Sequence, residues 1–218
     1  MNLVKTDLRR ANLQGANLRS VDLVKTDLRR ANLQGADLRS GNLQGADLVE
    51  TNLVGTDLRR ANLQGSDLRS ANLQGANLRE ANLREANLQE ANLRSVDLVK
   101  TDLRGANLTE ANLTETDLTR ADLTEAYLTG ANLTGAYLNW NSHALMAELL
   151  IRSAKNIEHL KIAGLVSIGK RVNLCWKDFL KITKDKNFEW ALTALAKAAN
   201  PEDPNIPKII KKQMKGIK

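Results

Sequence analysis

From Leu3 to Leu138 a leucine stands at every fifth position, 28 in all. The polarity around each leucine repeats as well. The residue just before it is Asn or Asp, except at Tyr127 and Tyr137. The residue two before it is small, usually Ala (Ala11, Ala16, Ala31, Ala36), elsewhere mostly Thr, Val, Ser or Gly. The two residues after it are mostly polar or Gly.

A period of five fits neither regular element. On an α-helix each fifth residue is rotated by about 140°, so the leucines would wind around the cylinder. On a flat strand successive fifth residues would point to opposite faces. The small residue and the leucine two places later share parity and face one way. The chain must then turn before the next leucine can face the same interior. Gly15, Ser20, Gly35, Ser40 and Gly45, two places after their leucines, suit such a corner, since glycine tolerates turn geometry. Flat sides alternating with corners make a coil with the leucines inside. Stacked coils bury one apolar column and pair backbone groups between coils.

Runs such as Ala11-Asn12-Leu13-Gln14-Gly15 and Ala81-Asn82-Leu83-Arg84-Glu85 resemble the A(D/N)LXX unit of pentapeptide-repeat proteins. The resemblance implies a mainly β solenoid: a right-handed quadrilateral β-helix with four units to a coil. A coil of twenty residues agrees with the chain's longer repeat, because Asn2–Val21 and Asp22–Gly41 differ at only three positions. The 28 units then make about seven coils, a rod roughly 34 Å long at a spacing of about 4.8 Å per coil.

The length of 218 residues allows one or two domains, and 42% hydrophobic but only 3% aromatic residues require a core of leucine and alanine. Charge divides the chain. Through Trp140 there are 17 basic and 18 acidic residues, and from Asn141 onward 15 and 7. There the five-residue pattern also gives way to helical spacing: Ser142 leads into Leu145, Met146, Leu149 and Leu150, and Asn156 into Ile157, Leu160 and Ala163. Further helices are expected through Leu174–Ile182 and Phe188–Leu195, and a short basic one with Ile209, Ile210 and Met214. The expected domains are a β-helix over 1–140 and a small, basic, all-α domain over 141–218. A lone cysteine, Cys175, a chain entering its repeats at Leu3, and the lack of an apolar run of the ~20 residues needed to span a membrane point to a cytoplasmic protein without a membrane span.

Folding the sequence at twenty residues per coil aligns Arg19, Arg39, Arg59 and Arg79 into a column that ends at Val99 and Thr119. This is a candidate anion-binding surface, set against the reading of a solvated face partly neutralised by Asp37 and Asp57. Arg9-Arg10 and Arg29-Arg30 stack beside an acidic column of Asp7, Asp27, Asp47 and Asp67. Gln14, Gln34 and Gln74 are expected to hydrogen-bond between coils. At the C-terminus Lys208, Lys211, Lys212, Lys215 and Lys218 form a basic segment suited to nucleic acid or an anionic membrane. The first coil has no cap, so a homodimer through that end is expected.

The chain offers little for catalysis. His143, His159 and Cys175 fit no zinc spacing, and there is no nucleophile elbow, phosphate-cradling loop or dinucleotide fingerprint, so no enzyme, metal or cofactor is expected. The expected function is a non-enzymatic scaffold whose rigid sides dock a protein partner. The family resemblance implies one alternative, a DNA-mimicking modulator of a type II topoisomerase. That mimicry depends on a strongly acidic rod, and this one is near neutral. The lysine-rich domain suggests another alternative, association with nucleic acid.

Overall fold

The computed structural model describes residues 2–138, together with 191, 193–195, 210 and 215. The chain divides into two compact units, Met1–Tyr137 and Leu138–Lys218. In the first, the residue preceding each leucine forms a parallel bridge with its counterpart on the next coil, from Asn2↔Asp22 to Asp117↔Tyr137. Each coil therefore takes 20 residues, the separation seen in the bridge from Asn32 to Asn52. The ladder uses both flanks of every leucine: the Leu43 N–H donates to the Asn62 carbonyl at 2.7 Å, and the Asn62 N–H donates to the Gly41 carbonyl at 2.9 Å. Tyr127 and Tyr137 keep their places in the bridges to Asn107 and Asp117, because the ladder needs only their backbone.

Each corner is a β-turn closed by the leucine carbonyl, as where the Ala11 N–H donates to Leu8 at 3.0 Å. The third residue of the turn has positive φ, the signature of a type II turn. Glycine occupies nine of these positions, with φ of 62–74°. Another 18 are filled by Lys, Arg, Ser or Glu, with φ of 53–61°. A residue with a Cβ loses about 1–2 kcal/mol in this conformation. The coil imposes it all the same, since a side that fails to turn cannot return its leucine to the interior.

That interior is closed to solvent. Every leucine from Leu23 to Leu118 is 0% exposed, and the alanines two places before them are buried with them. Each such leucine contributes about 1.5–3 kcal/mol. Where the small position holds threonine, its hydroxyl finds a carbonyl on the preceding coil: Thr51 donates to Leu28 at 2.8 Å and Thr56 to Leu33 at 3.0 Å. In the first coil Leu3, Leu8 and Leu13 are only half-buried, since among the described residues no coil lies beneath them.

Of the second unit, Ala191, Thr193, Ala194, Leu195 and Ile210 are helical, and all but Thr193 are buried. Lys215 is exposed in a turn. Trp140, His143, His159, Cys175 and the helices expected after Ser142, Asn156 and Leu174 lie outside the described residues. Among the described residues no helix is long and apolar enough to cross a membrane.

Candidate binding faces

Each coil presents four sides, named here by the residue of the first coil that bridges on them: Asn2, Asp7, Asn12 and Asn17. The Asn and Asp residues are built into the corners. Their Oδ1 atoms accept the backbone N–H two residues on, as Asp37 does from Arg39 and Asn62 from Gln64, both at 3.2 Å. A side chain engaged in this way caps its turn. On the Asn12 side the amides also join coil to coil: Asn32 donates to Asn12 at 3.3 Å, Asn52 to Asn32 at 3.0 Å, Asn92 to Asn72 at 3.0 Å and Asn112 to Asn92 at 3.2 Å. The inter-coil amide bonds expected of the glutamines thus belong to the asparagines, and Gln14 alone of the glutamine column takes part, accepting from Asn32 at 3.5 Å.

The arginine column lies along the Asn17 side and is largely neutralised within it. Arg39 forms a short bond to Asp37 and reaches Asp57 on the next coil at 3.5 Å. Arg59 pairs with Asp57 at 2.6 Å and Arg79 with Asp97 at 3.5 Å. The hydrogen bond from Arg39 holds the Asp37 carboxyl down at about 2. Arg19 forms no ion pair among the described residues. The four residues do line one side, as a ladder of alternating charge more than a bare cationic strip.

The Asp7 side carries a second such ladder. Arg9 pairs with Asp7 at 2.6 Å and approaches Asp27 at 3.6 Å, while Arg29 pairs with Asp27 at 2.6 Å and Asp47 at 3.3 Å. The hydrogen bond from Arg9 holds Asp7 at about 2. At the corner next to it Arg30 bonds Glu50 at 2.8 Å. Together Asp7, Arg9, Arg10, Arg29, Arg30, Val49 and Glu50 line a shallow cleft. Its signal in the sequence was the stacking of Arg9-Arg10 on Arg29-Arg30.

Lys208, Lys211 and Lys212 lie outside the described residues, and Lys215 is exposed. No group of His, Cys, Asp or Glu among the described residues is placed to hold a metal ion.

The family model for pentapeptide repeats matches in eight copies, over residues 2–39, 42–75, 71–109 and 101–139. Among solved structures the chain is similar to HetL, a pentapeptide-repeat protein involved in heterocyst differentiation regulation from the cyanobacterium Nostoc sp. strain PCC 7120. That match has 37% identity over 65% of this chain and 67% of HetL, with a TM-score of 0.55. A trypsin-treated form of QnrB1, a plasmid-mediated fluoroquinolone resistance protein, matches with 24% identity over 62% of this chain and 69% of its own, at a TM-score of 0.58, a likeness of fold. No curated protein sequence matches the chain.

Proposed function

The chain belongs to the pentapeptide-repeat family, and we propose that it is a non-enzymatic scaffold that docks a protein partner on the rigid sides of its repeat unit. The observation that supports this is the fixed placement of the side-chain ladders. Each Asp–Arg rung is held by a capped corner and by the bridge to the next coil, as at Asp37, Arg39 and Asp57. Groups so held lose little freedom on binding, which favours recognition by a preformed surface. In this reading the repeats wind about seven right-handed turns, the C-terminal unit is all-α, and the protein works in the cytoplasm.

Affinity capture from lysate, with the full chain and with residues 1–140, each with and without nuclease, tests the proposal. A protein retained by both forms and indifferent to nuclease supports it. Partners lost with nuclease, or lost with residues 141–218, move the function to the lysine-rich segment of Lys208, Lys211, Lys212 and Lys215 and to nucleic acid. Modulation of a type II topoisomerase remains the alternative from family resemblance, and the ladders weigh against it: DNA mimicry needs unopposed carboxylates, and Asp27, Asp37 and Asp57 each carry an arginine. An effect on gyrase supercoiling at stoichiometric amounts reverses that order.

A further inference from the structure

The two corner columns that flank the Asp7 side change sign along the axis. One runs Arg10, Arg30, Glu50, Ser70, Glu90, Glu110. The other has Lys5 and Lys25 at its start and Glu85 and Glu125 toward its end. All of the charged residues among these are exposed. Three of the four arginines that line the cleft are occupied, Arg9 and Arg29 by aspartates and Arg30 by Glu50. Arg10, Lys25, Glu85 and Glu110 form no ion pair among the described residues. Arg10 and Lys25 near one end and Glu85 and Glu110 toward the other are thus left open on the margins of one side, as are Lys5, Glu90 and Glu125.

We propose that this side is a self-complementary surface on which a second copy of the chain lies antiparallel. A two-fold axis perpendicular to the coil axis, passing between two facing Asp7 sides, sets each column against itself in reverse. Placed level with the midpoint of Glu50 and Ser70, it matches Arg10 with Glu110 and Arg30 with Glu90 of the second copy. On the other margin it matches Lys25 with Glu85. The contact is isologous, so each pair occurs twice. Both copies repeat at about 4.8 Å per coil, so one pair in register brings its whole column into register, and Lys25 on the other margin falls about half a coil (~2.4 Å) from level with Glu85, within reach of two flexible side chains. One rung opposes: Asp47 falls against Asp67 of the second copy, and Arg69, held on Asp67 at 2.7 Å, tempers it.

The charges argue for sides over ends. Two first coils brought together would set Lys5, Arg9, Arg10 and Arg19 of each copy against their like, with Asp7 the one carboxylate among those residues. The side contact is small. Six coils of about 4.8 Å and a side about 10 Å wide cover roughly 300 Å² per copy, against roughly 800 Å² in a stable complex. The pair is therefore weak and held by charge, and it should respond steeply to salt.

Sedimentation velocity of the full chain over a concentration series, at about 0.02 M and about 0.5 M salt, is the test. The expected result is concentration-dependent dimer at low salt and monomer at high salt. Two variants make it specific: Arg10→Glu with Lys25→Glu, and Glu85→Lys with Glu110→Lys. These corners already hold Glu and Lys in the same backbone conformation, at Glu50 (φ 56°) and Lys5 (φ 55°), so the fold tolerates both; circular dichroism checks it. Each variant alone should lose association about tenfold or more. Mixed in equal amounts they should recover it, because every reversed cation then meets a reversed anion and every original pair meets its original partner. Monomer at low salt, association unmoved by either variant, or no recovery on mixing overturns the proposal. A dimer held through the open first coil shows itself by ignoring Glu85→Lys with Glu110→Lys, which lie far from that coil.

Discussion

At the scale of the residue, the fold rests on two positions in each unit of five. The leucine is the apolar one. Leu68 is 0% exposed and sits between coils above and below, so Leu68→Ala should cost about 2–5 kcal/mol, the transfer loss and the cavity together. Leu8, half-buried in the first coil, should lose less than half of that by the same change, and urea unfolding of both variants compares them. The other position is the left-handed corner. A Cβ at Gly75 would meet nothing within 4 Å, yet φ there is 65°. Gly75→Ala should therefore destabilise by about 1 kcal/mol through backbone strain alone. The reverse change at a strained corner with no ion pair, Glu85→Gly (φ 57°), should stabilise by a similar amount if strain outweighs the freedom glycine gives the unfolded chain. Thermal unfolding reads both signs.

At the scale of the coil and its ladders, side chains do what the backbone leaves undone. Asn92 caps its corner by accepting from Arg94 N–H at 3.2 Å, donates to Asn72 at 3.0 Å and accepts from Asn112 at 3.2 Å. Asn92→Ala removes all three bonds and should cost about 1–3 kcal/mol, whereas substitution of Tyr127, which bridges through its backbone and is 64% exposed, should cost little. The aspartate rungs predict acid behaviour. The Asp37 carboxyl is lowered from 3.8 to about 2 in the folded chain, chiefly by its hydrogen bond from Arg39. A group depressed on folding stabilises above its unfolded value, and that share is lost as the pH falls through the folded one. Asp37 and its equal Asp7 should thus cease to stabilise between about pH 4 and about pH 2. In Arg39→Ala the Asp37 carboxyl should titrate near its ordinary value, and carbon-detected NMR of the side-chain carboxylates checks it.

The sequence reveals these scales unevenly. The leucine period and the near-identity of Asn2–Val21 with Asp22–Gly41 state the coil outright, because burial is the same demand at every unit. The Asn or Asp before each leucine is equally regular, but its work as a cap depends on a turn that no single pentapeptide displays. The period places the corners whatever residue fills them: Arg10, Glu90 and Ser95 take the same left-handed conformation as the glycines, imposed by closure of the coil against their own preference. The arginine column could be placed but not judged, since whether Arg39 is free or held depends on its reach to Asp37 and Asp57.

At the scale of the whole repeat unit, stability passes from coil to coil, each contacting only its neighbours. Among the described residues the first coil borders one other coil. Its leucine amides donate forward, Leu3 to Asp22 and Leu8 to Asp27, and three of its four leucines, Leu3, Leu8 and Leu13, are half-buried. A middle coil is bonded on both flanks, with Leu43 donating to Asn62 and Asn42 donating back to Val21. Opening the first coil exposes little further apolar surface, while opening the third uncovers leucines on two interfaces. Hydrogen exchange by mass spectrometry should accordingly be graded along the chain, with peptides within 2–18 exchanging first and those within 43–98 last. If all peptides of the repeat unit exchanged together, the coils would open as one cooperative block, and nearest-neighbour stacking would not describe them. Substitution sharpens the choice. Leu68→Ala should loosen the peptides of its own and adjoining coils more than those of the first, because in a stacked array the loss of one interface is felt most by the coils that share it.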